Sequence, residues 1–319
     1  MISGERVAVI GAGTMGHGMG FALARKGYQV TLMSRKPSSL ELARRAITDT
    51  ADLFLDHDLM SKDEREETLS RIEMTTCLEK ALDGATYVFE AVPEDLDTKR
   101  EVLRQAERFM LEDGLLASTT SAFVPSLLTG SLTRPERFVV AHFWNPPSVV
   151  ALVEVVPAPI TSGETVKEIC ELLQRIEKFP VVLKKEIPGF IGNRLQLAVL
   201  REALWIVESG AAGPAEVDQV MKMTLGQRWA RLGPIEAADL GGLDVFLAIS
   251  DYLGKTFQPA FDPPEILQEK VSQGKLGAKT GEGFYLWSDD RARKVKRDRD
   301  QALLQYACGS RRQSGAEKP

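Results

Sequence analysis

Cysteine is scarce in this sequence. Its 319 residues include three, Cys77, Cys170 and Cys308, which lie far apart and in no metal-ligand spacing. This distribution excludes a disulfide-stapled scaffold and favours reduced thiols in a cytoplasm. Long apolar runs are also missing, since none approaches the ~18–20 residues that a membrane-spanning helix needs. No charged leader with a hydrophobic core precedes the first predicted strand. We therefore expect a cytoplasmic protein with no metal and no membrane partner.

An excess of positive charge is absent as well. Forty Lys and Arg residues stand against 45 Asp and Glu, which gives a formal net charge of -5. A chain without a basic surplus offers no broad surface for nucleic acid, so a phosphate-bearing ligand would need a local basic patch. Hydrophobic residues make up 44% and charged residues 27%, the balance of a globular protein, and the length favours two domains.

Predicted strands and helices alternate through the first half of the chain. A strand over 6–10 leads through a glycine-rich turn into a helix over 14–26 and a strand over 29–33. Further strands are expected at 87–91, 115–117, 138–141, 153–156 and 181–183, with helices over 97–110 and 164–178. Such alternation is typical of an α/β fold with a Rossmann-type, doubly wound sheet that carries helices on both faces.

The strand signals stop near residue 185. Helical patterns follow, among them 214–223 and 243–253. We therefore place a dinucleotide-binding domain at 1–185 and an all-helical second domain at 186–319. The last part, 290–319, is dense in Arg, Lys and Asp and ends in Gly, Ser and Gln, so we expect a solvated helix and a frayed tail there.

The turn after the first strand consists of Gly11, Ala12, Gly13, Thr14, Met15 and Gly16. A G-x-G-x-x-G pattern is weak alone, but here it follows a strand, opens a helix and precedes a second strand, as in dinucleotide sites. Gly11 permits the tight turn, Gly13 lets the backbone approach a pyrophosphate, and Gly16 lets helix and strand pack closely. The helix N-terminus then offers N–H groups to the phosphates. The alternative is a purely structural glycine turn.

The end of the second strand indicates which dinucleotide binds. A carboxylate that bonds the ribose 2′-hydroxyl of NAD usually lies about 20 residues after the glycine turn. This chain has Ser34 there, followed by Arg35 and Lys36. A hydroxyl beside two cations suits a 2′-phosphate, and the missing carboxylate removes a repulsion against it. We predict a preference for NADP(H) over NAD(H). The alternative is that both cations are loop charges beside a site that uses NAD.

Hydride transfer to or from a hydroxyl needs a general base for the O–H proton. The chain has three histidines, His17, His57 and His142. His142 follows the apolar strand at 138–141, where an α/β sheet presents its carboxyl-end crevice. Glu154 lies within another apolar strand, and a carboxylate there is costly unless it is paired. An imidazole would pair it, and the carboxylate would orient the ring and stabilise the imidazolium. The sequence leaves open whether these two side chains meet.

Several motifs follow one another along the chain. They are 11–16, 90–94 (EAVPE), 118–121 (STTS), 142–146 (HFWNP), 152–155 (LVEV), 188–194 (PGFIGNR) and 277–284 (GAKTGEGF). Over about residues 5–287 the chain resembles the L-3-hydroxyacyl-CoA dehydrogenase superfamily, in particular its lambda-crystallin, L-gulonate and L-carnitine dehydrogenase branch. The resemblance implies a nicotinamide-dependent oxidoreductase.

The resemblance also implies roles for individual residues. His142 matches the general base and Glu154 its carboxylate partner. Ser121 matches a serine that bonds the substrate oxygen, and Asn193 an asparagine that orients the reacting group. The structural alternatives are a strand-end serine and a helix-start asparagine. Positions that match cofactor-lining residues are Glu94, Lys99, Asn145 and Lys279.

Two segments depart from the acyl-CoA members of that family. The segment 56–71, which corresponds to their CoA-binding hairpin, carries three cations against six acids, a poor site for a polyphosphate. The segment 225–234 is longer than theirs and contains Arg228, whose planar fork could bind a substrate carboxylate. The alternative is that Arg228 serves a surface or dimer contact. The resemblance further implies a homodimer formed through the helical domain.

The expected activity is hydride transfer between NADP(H) or NAD(H) and the C3 hydroxyl or keto group of a 3-hydroxyacyl substrate. That substrate is a 3-hydroxyacyl-CoA or a small 3-hydroxy acid. One alternative is reduction of a C=N bond on the same site. Another is a catalytically silent, crystallin-like binding protein.

Overall fold

A computed structural model describes residues 5–254, 256–257 and 263–314, the last nine of them, 306–314, by their backbone. The chain divides into two compact units. The first consists of Met1–Asn193 and Arg299–Pro319, and the second of Arg194–Asp298. The division thus falls later than the predicted boundary at 185, and the chain returns to the first unit near its end.

The first unit is built on one eight-stranded sheet. Its strands are β1 Arg6–Ile10, β2 Gln29–Met33, β3 Ile72–Thr75, β4 Tyr87–Glu90, β5 Leu115–Ser118, β6 Phe138–Phe143, β7 Leu152–Pro157 and β8 Phe179–Val182. Their order across the sheet is β3-β2-β1-β4-β5-β6-β7-β8. Neighbours from β3 to β6 are parallel, whereas β7 runs antiparallel to β6. The order reverses between β1 and β4, where a doubly wound sheet opens its ligand crevice.

Helices make up most of the remaining structure. Those of the first unit are α1 Thr14–Arg25, α2 Pro37–Asp56, α3 Lys62–Ser70, α4 Leu78–Leu82, α5 Leu96–Phe109, α6 Ser126–Thr129 and α7 Gly163–Arg175. They are followed by α8 Gly192–Glu208, α9 Pro214–Met223, α10 Leu225–Trp229, α11 Pro234–Gly241, α12 Leu243–Leu253, α13 Glu265–Ser272 and α14 Asp289–Ser314. This arrangement confirms the predicted fold class.

Alternate strand residues feed two separate cores, one on each face of the sheet. In β1, Val7 and Val9 join the core that packs against α1, α2 and α7. Ala8 and Ile10 join the core that packs against α4 and α5. This period of two is what a sheet covered on both faces requires, since successive side chains point to opposite sides.

The last helix departs from the expectation of a fully solvated segment. In α14, Leu304 is only 3% exposed and belongs to the core on the α1 side of the sheet. A buried leucine stabilises the fold by about 1.5–3 kcal/mol relative to an exposed one. Leu303 and Leu304 therefore dock this part of α14 on the core.

Other sequence expectations bear on location. None of the described helices combines the length and apolar character that crossing a membrane requires. Cys77 and Cys170 are free thiols, and Cys308 lies outside the residues whose side chains are described. A cytoplasmic location stays a prediction.

Candidate active site

The glycine turn between β1 and α1 is closely packed on one side and open on the other. A Cβ on Gly11, whose φ is +116°, would lie 2.3 Å from the Ala91 carbonyl oxygen. A Cβ on Gly16 would lie 1.7 Å from the Gly11 carbonyl oxygen. Both positions therefore require glycine. Gly13 differs, because a Cβ there would meet nothing within 4 Å.

The first turn of α1 fits the pyrophosphate of a dinucleotide. Gly13 is its N-cap and provides no side-chain hydrogen bond, and the first turn contains no acidic residue. The N–H groups at this end, exposed at Gly13 and Thr14, are not capped by a side chain. They coincide with the positive end of the helix dipole, which favours an anion. Ala12 and Met15 pack against the core behind the turn.

The residues after β2 form a basic corner. Ser34 is half-buried, while Arg35 and Lys36 are exposed. Lys36 is the N-cap of α2, and its backbone N–H lies 3.5 Å from Ser34 Oγ. The first turn of α2 carries no acidic residue. The corner therefore combines two cations, a hydroxyl and a helix N-terminus.

His142 and Glu154 face each other across β6 and β7. The antiparallel register pairs these two residues directly, so their side chains lie on the same face. His142 Nδ1 lies 2.8 Å from Glu154 Oε2, and the residues are 5% and 1% exposed. The structure thus brings together the two residues whose contact the sequence leaves open.

The other carboxylate oxygen of Glu154 binds the start of α8. The backbone N–H groups of Ile191 and Gly192 donate to Oε1 over 2.8 and 3.1 Å. Burial alone would raise the pKa of Glu154, but the hydrogen bonds from His142 and from these two amides outweigh it and hold the pKa below its usual value. An ionised carboxylate only accepts hydrogen bonds, so Nδ1 of His142 carries the proton.

Aromatic side chains enclose the His142 ring. The ring centroid lies 5.1 Å from that of Trp144 and 5.5 Å from that of Phe190. Gly192 allows this packing, because a Cβ there would lie 2.1 Å from Trp144 Cζ2. The imidazole is therefore held on its Nδ1 side by an anion and along its ring by apolar neighbours.

Ser121 lies in the turn that follows β5, and its backbone is held from both ends. Its N–H donates to Glu94 Oε1 over 3.1 Å, and its carbonyl accepts from Asn193 Nδ2 over 2.9 Å. Glu94 also accepts from Ala122 N–H and the Thr120 hydroxyl. Burial would raise the pKa of Glu94, but the Thr120 hydroxyl and the Lys99 charge hold it below its usual value. The predicted site residues Ser121, Asn193 and Glu94 thus form one hydrogen-bonded group.

Lys99, which the resemblance places beside the cofactor, is buried among acceptors. This side chain is 1% exposed, and its ammonium binds Glu90, Glu94 and the Val92 carbonyl. Three acceptors use the three N–H groups of an ammonium. Lys99 therefore lies just beneath the surface, and its contact with a cofactor stays a prediction. Sequence reasoning missed its partner Glu90, although a carboxylate ending an apolar strand is the same signal that identified Glu154.

The remaining predicted residues are exposed. Asn145 follows Trp144 at the end of β6. Arg228 lies in α10 of the second unit, and Lys279 lies between the bridged residues Gly277 and Glu282 of the same unit. Their contacts with substrate or cofactor stay predictions. Within the ranges that the structure describes, no cluster of three or more His, Cys, Asp or Glu side chains could hold a metal ion.

Two family models match the chain in succession. The 3-hydroxyacyl-CoA dehydrogenase NAD binding domain matches residues 6–187, and the 3-hydroxyacyl-CoA dehydrogenase C-terminal domain matches residues 189–287. Together they cover the Rossmann-type sheet and most of the helical unit.

Known proteins agree with this match. A 5-formyl-3-hydroxy-2-methylpyridine 4-carboxylate 5-dehydrogenase of Mesorhizobium japonicum is 33% identical over 94% of this chain and 96% of its own length. The human mitochondrial hydroxyacyl-coenzyme A dehydrogenase is 34% identical over 88% and 90%. A solved structure of an FHMPC 5-dehydrogenase, described as an NAD+-dependent dismutase, superposes with a TM-score of 0.88 at 33% identity, covering 94% of this chain and 96% of that one.

Both domain models match the chain, and the relatives are similar to it over most of their length. The glycine turn at the switch point of the sheet, whose N–H groups no side chain caps, agrees with them. The chain belongs to the 3-hydroxyacyl-CoA dehydrogenase family and is an NAD-dependent oxidoreductase of that type.

Proposed function

We propose that this protein transfers a hydride between a nicotinamide cofactor and C3 of a 3-hydroxyacyl or 3-oxoacyl substrate, with His142 as general acid and base. The observation that carries the proposal is the buried 2.8 Å contact between His142 Nδ1 and Glu154 Oε2. The contact lies at the carboxyl end of β6, in the sheet that carries the glycine turn. A proton carrier at this edge is what alcohol oxidation requires beside a hydride acceptor.

The nicotinamide, when bound, accepts or supplies the hydride. In oxidation, His142 Nε2 takes the hydroxyl proton while Nδ1–H remains bonded to Glu154. The resulting imidazolium is stabilised by a carboxylate that two backbone amides keep ionised. In reduction, the imidazolium returns the proton to the developing alkoxide. The Ser121 hydroxyl is neutral and can polarise the substrate oxygen without competing for that proton.

The substrate that we favour is a small 3-hydroxy acid with a free carboxylate rather than a CoA thioester. Two of the three cations in the segment 56–71 are paired with acids. Arg65 pairs with Asp52 and Glu66, and Arg71 pairs with Glu67. Little positive charge is left there for the phosphates of CoA. Arg228, exposed on α10, supplies a guanidinium for a carboxylate. The pyridine carboxylate named in the Mesorhizobium relative is consistent with such a substrate.

The test is turnover at 340 nm with acetoacetate, acetoacetyl-CoA and a cyclic imine, each with NADH and NADPH. We expect turnover with acetoacetate and a fall of about 10²–10⁴-fold for His142→Gln with cofactor affinity unchanged. The matched control is His57→Gln, which should keep the wild-type rate, since His57 is the C-cap of α2. Activity with the imine alone would favour the C=N reductase, and a wild-type rate in His142→Gln would refute the role of His142.

We further propose a preference for NADP(H), supported by the basic corner at Ser34, Arg35 and Lys36. A 2′-phosphate there could take charge-assisted hydrogen bonds. Arg35→Ala should weaken NADPH binding about tenfold, since a hydrogen bond to a charged group contributes ~1.5–3 kcal/mol and solvent exposure reduces that contribution. NADH binding should not change, because NADH has no 2′-phosphate. The control is Arg44→Ala, which removes an exposed cation from α2 outside the basic corner. Tighter binding of NADH than NADPH by the wild-type protein would contradict the preference.

We also propose a homodimer that forms through the second unit. No residue of α11 or α12 is buried, although α12 is apolar around most of its surface. Leu243 and Leu247 are 62% and 71% exposed. A helix with this composition is normally covered, and a second copy presents the same patch for a two-fold interface. Light scattering should give twice the 35.2 kDa chain mass for wild type and a monomer for Leu247→Glu. A wild-type monomer would refute the dimer.

A further inference from the structure

Glu90 is the most deeply buried acid that the proposed mechanism does not use. It ends β4 and is 0% exposed. Its Oε1 accepts from the Lys99 ammonium over 2.9 Å and from Val92 N–H over 2.8 Å. Its Oε2 accepts from the Ser118 hydroxyl. Burying a carboxylate to this extent costs desolvation free energy, which such contacts must offset. The presence of a charged residue here therefore calls for a physical reason.

Two hydrogen-bonded routes lead from Glu90 to the turn at Ser121. In the shorter one, the Ser118 hydroxyl that donates to Glu90 also accepts from Thr120 N–H over 3.2 Å. In the longer one, Lys99 connects Glu90 to Glu94, and Glu94 accepts the N–H groups of Ser121 and Ala122. Both routes end on consecutive backbone amides of the same turn.

The charges explain why the longer route needs Glu90. Lys99 lies between two carboxylates, 2.9 Å from Glu90 and 3.2 Å from Glu94. Glu90 is fully buried, whereas the Glu94 side chain is 38% exposed. Without the charge on Glu90, the ammonium would have Glu94 as its one nearby anion and would draw it away from the Ser121 and Ala122 amides. Glu90 therefore balances the pull on Glu94.

We propose that Glu90 is a positioning residue that sets the backbone of the turn carrying Ser121, acting through Ser118 and through Lys99 and Glu94. The inference rests on the proposed function only in making Ser121 a substrate contact. The effect on the turn itself is independent of any ligand.

The experiment is residue-resolved amide hydrogen exchange on the intact protein, comparing wild type with Glu90→Gln. We expect exchange at Ser121 and Ala122 to accelerate at least about fivefold. The matched control is Glu107→Gln, because Glu107 is also buried on α5 and accepts the N–H groups of Thr133 and Arg134 over 2.7 and 2.6 Å. That variant should accelerate exchange at Thr133 and Arg134 and leave the Ser121 turn unchanged.

Kinetics provide a second readout that a purely structural role would not move. For Glu90→Gln we expect kcat/KM for acetoacetate to fall at least tenfold while the dissociation constant of the cofactor changes less than threefold. Glu107→Gln should retain both values. Failure of the proposed function would appear as no wild-type turnover, and it would leave the exchange measurement intact.

Unchanged exchange at Ser121 and Ala122 in Glu90→Gln would overturn the proposal, as would equal acceleration there in Glu107→Gln. If Glu90→Gln does not fold, the double variant Glu90→Gln, Lys99→Met replaces the buried ion pair by neutral groups of similar size, which proteins commonly tolerate. The ammonium that would draw Glu94 away is then absent, so exchange at Ser121 and Ala122 should stay within about twofold of the wild-type rate. Acceleration of at least about fivefold at Ser121 and Ala122 in the double variant would overturn the proposed balance between Glu90 and Glu94 on Lys99.

Discussion

Replacing Glu154 by glutamine would invert the hydrogen bonding of His142. The carboxylate accepts on both sides, from His142 Nδ1 on Oε2 and from the Ile191 and Gly192 amides on Oε1. An amide has one accepting oxygen and one donating NH₂. Two backbone donors require the oxygen, so the NH₂ must face Nδ1. His142 then has to accept at Nδ1 and carries its proton on Nε2, where it cannot act as a base.

The size of the effect follows from two contributions. Loss of a charge-assisted hydrogen bond costs about 1.5–3 kcal/mol, or roughly 10–150-fold in rate. The pair is almost fully buried, so solvent screening does not reduce this figure. The wrong tautomer adds to the loss, and an amide in place of an orienting carboxylate costs about 10⁴ in kcat where it imposes that tautomer. We expect a fall of about 10³–10⁴-fold for Glu154→Gln.

The assay is stopped or continuous measurement of kcat in the oxidative direction, with ¹⁵N spectra of the three imidazoles as the structural readout. The signals of His142 should indicate protonation at Nδ1 in wild type and at Nε2 in the variant. Glu107→Gln, which removes a buried carboxylate at the other end of α5 from Lys99, should keep the wild-type kcat. A kcat for Glu154→Gln within tenfold of wild type, or an unchanged tautomer, would refute the reasoning.

The other predictions concern glycines and pH. Gly16→Ala places a Cβ 1.7 Å from a backbone carbonyl oxygen and should lower the midpoint of thermal unfolding, measured by calorimetry. Gly13→Ala places a Cβ with no atom within 4 Å, so that midpoint should not fall. It should instead weaken cofactor binding, measured by fluorescence titration. Gly192→Ala collides with the Trp144 ring and should cost about 1–3 kcal/mol in urea unfolding, and an unchanged midpoint would contradict this packing. The pKa of Glu154 in the folded protein lies below its ordinary value of 4.5. The ionised carboxylate therefore contributes its full stabilisation above pH 4.5, and this contribution is lost as the pH falls towards the folded-state pKa. The urea midpoint should thus fall less steeply from pH 6 to 3 in Glu154→Gln than in wild type.

Local patterns predicted much of the first unit. The apolar runs of β1 and β2 have the observed bounds, and α9 and α12 also match their predicted ranges. The short strand β3, Ile72–Thr75, was missed, because an edge strand that is only half-buried carries no continuous apolar run. The predicted boundary at 185 follows the last strand, whereas the compact first unit continues to Asn193, because Phe190 packs in the core with residues of β6.

In the candidate site, too, the sequence identified some residues and not others. The glycine turn was recognisable because its requirements lie within six consecutive residues, and His142 because it follows an apolar strand. Glu90 and Lys99 were not identified as a pair. A buried lysine has no sequence signal of its own, and its burial depends on the acids that β4 and the following loop bring to it.

The sequence by itself determined the βαβ start, its glycine turn and the alternation of strands and helices, because hydrophobic periodicity and backbone sterics act between near neighbours in the chain. Only the tertiary structure decided that β7 reverses direction against β6, which sets Glu154 opposite His142, and that Ile191 and Gly192 return to hold the same carboxylate. The physical reason is that strand register and burial arise from contacts between segments far apart in the chain, and no local pattern encodes them.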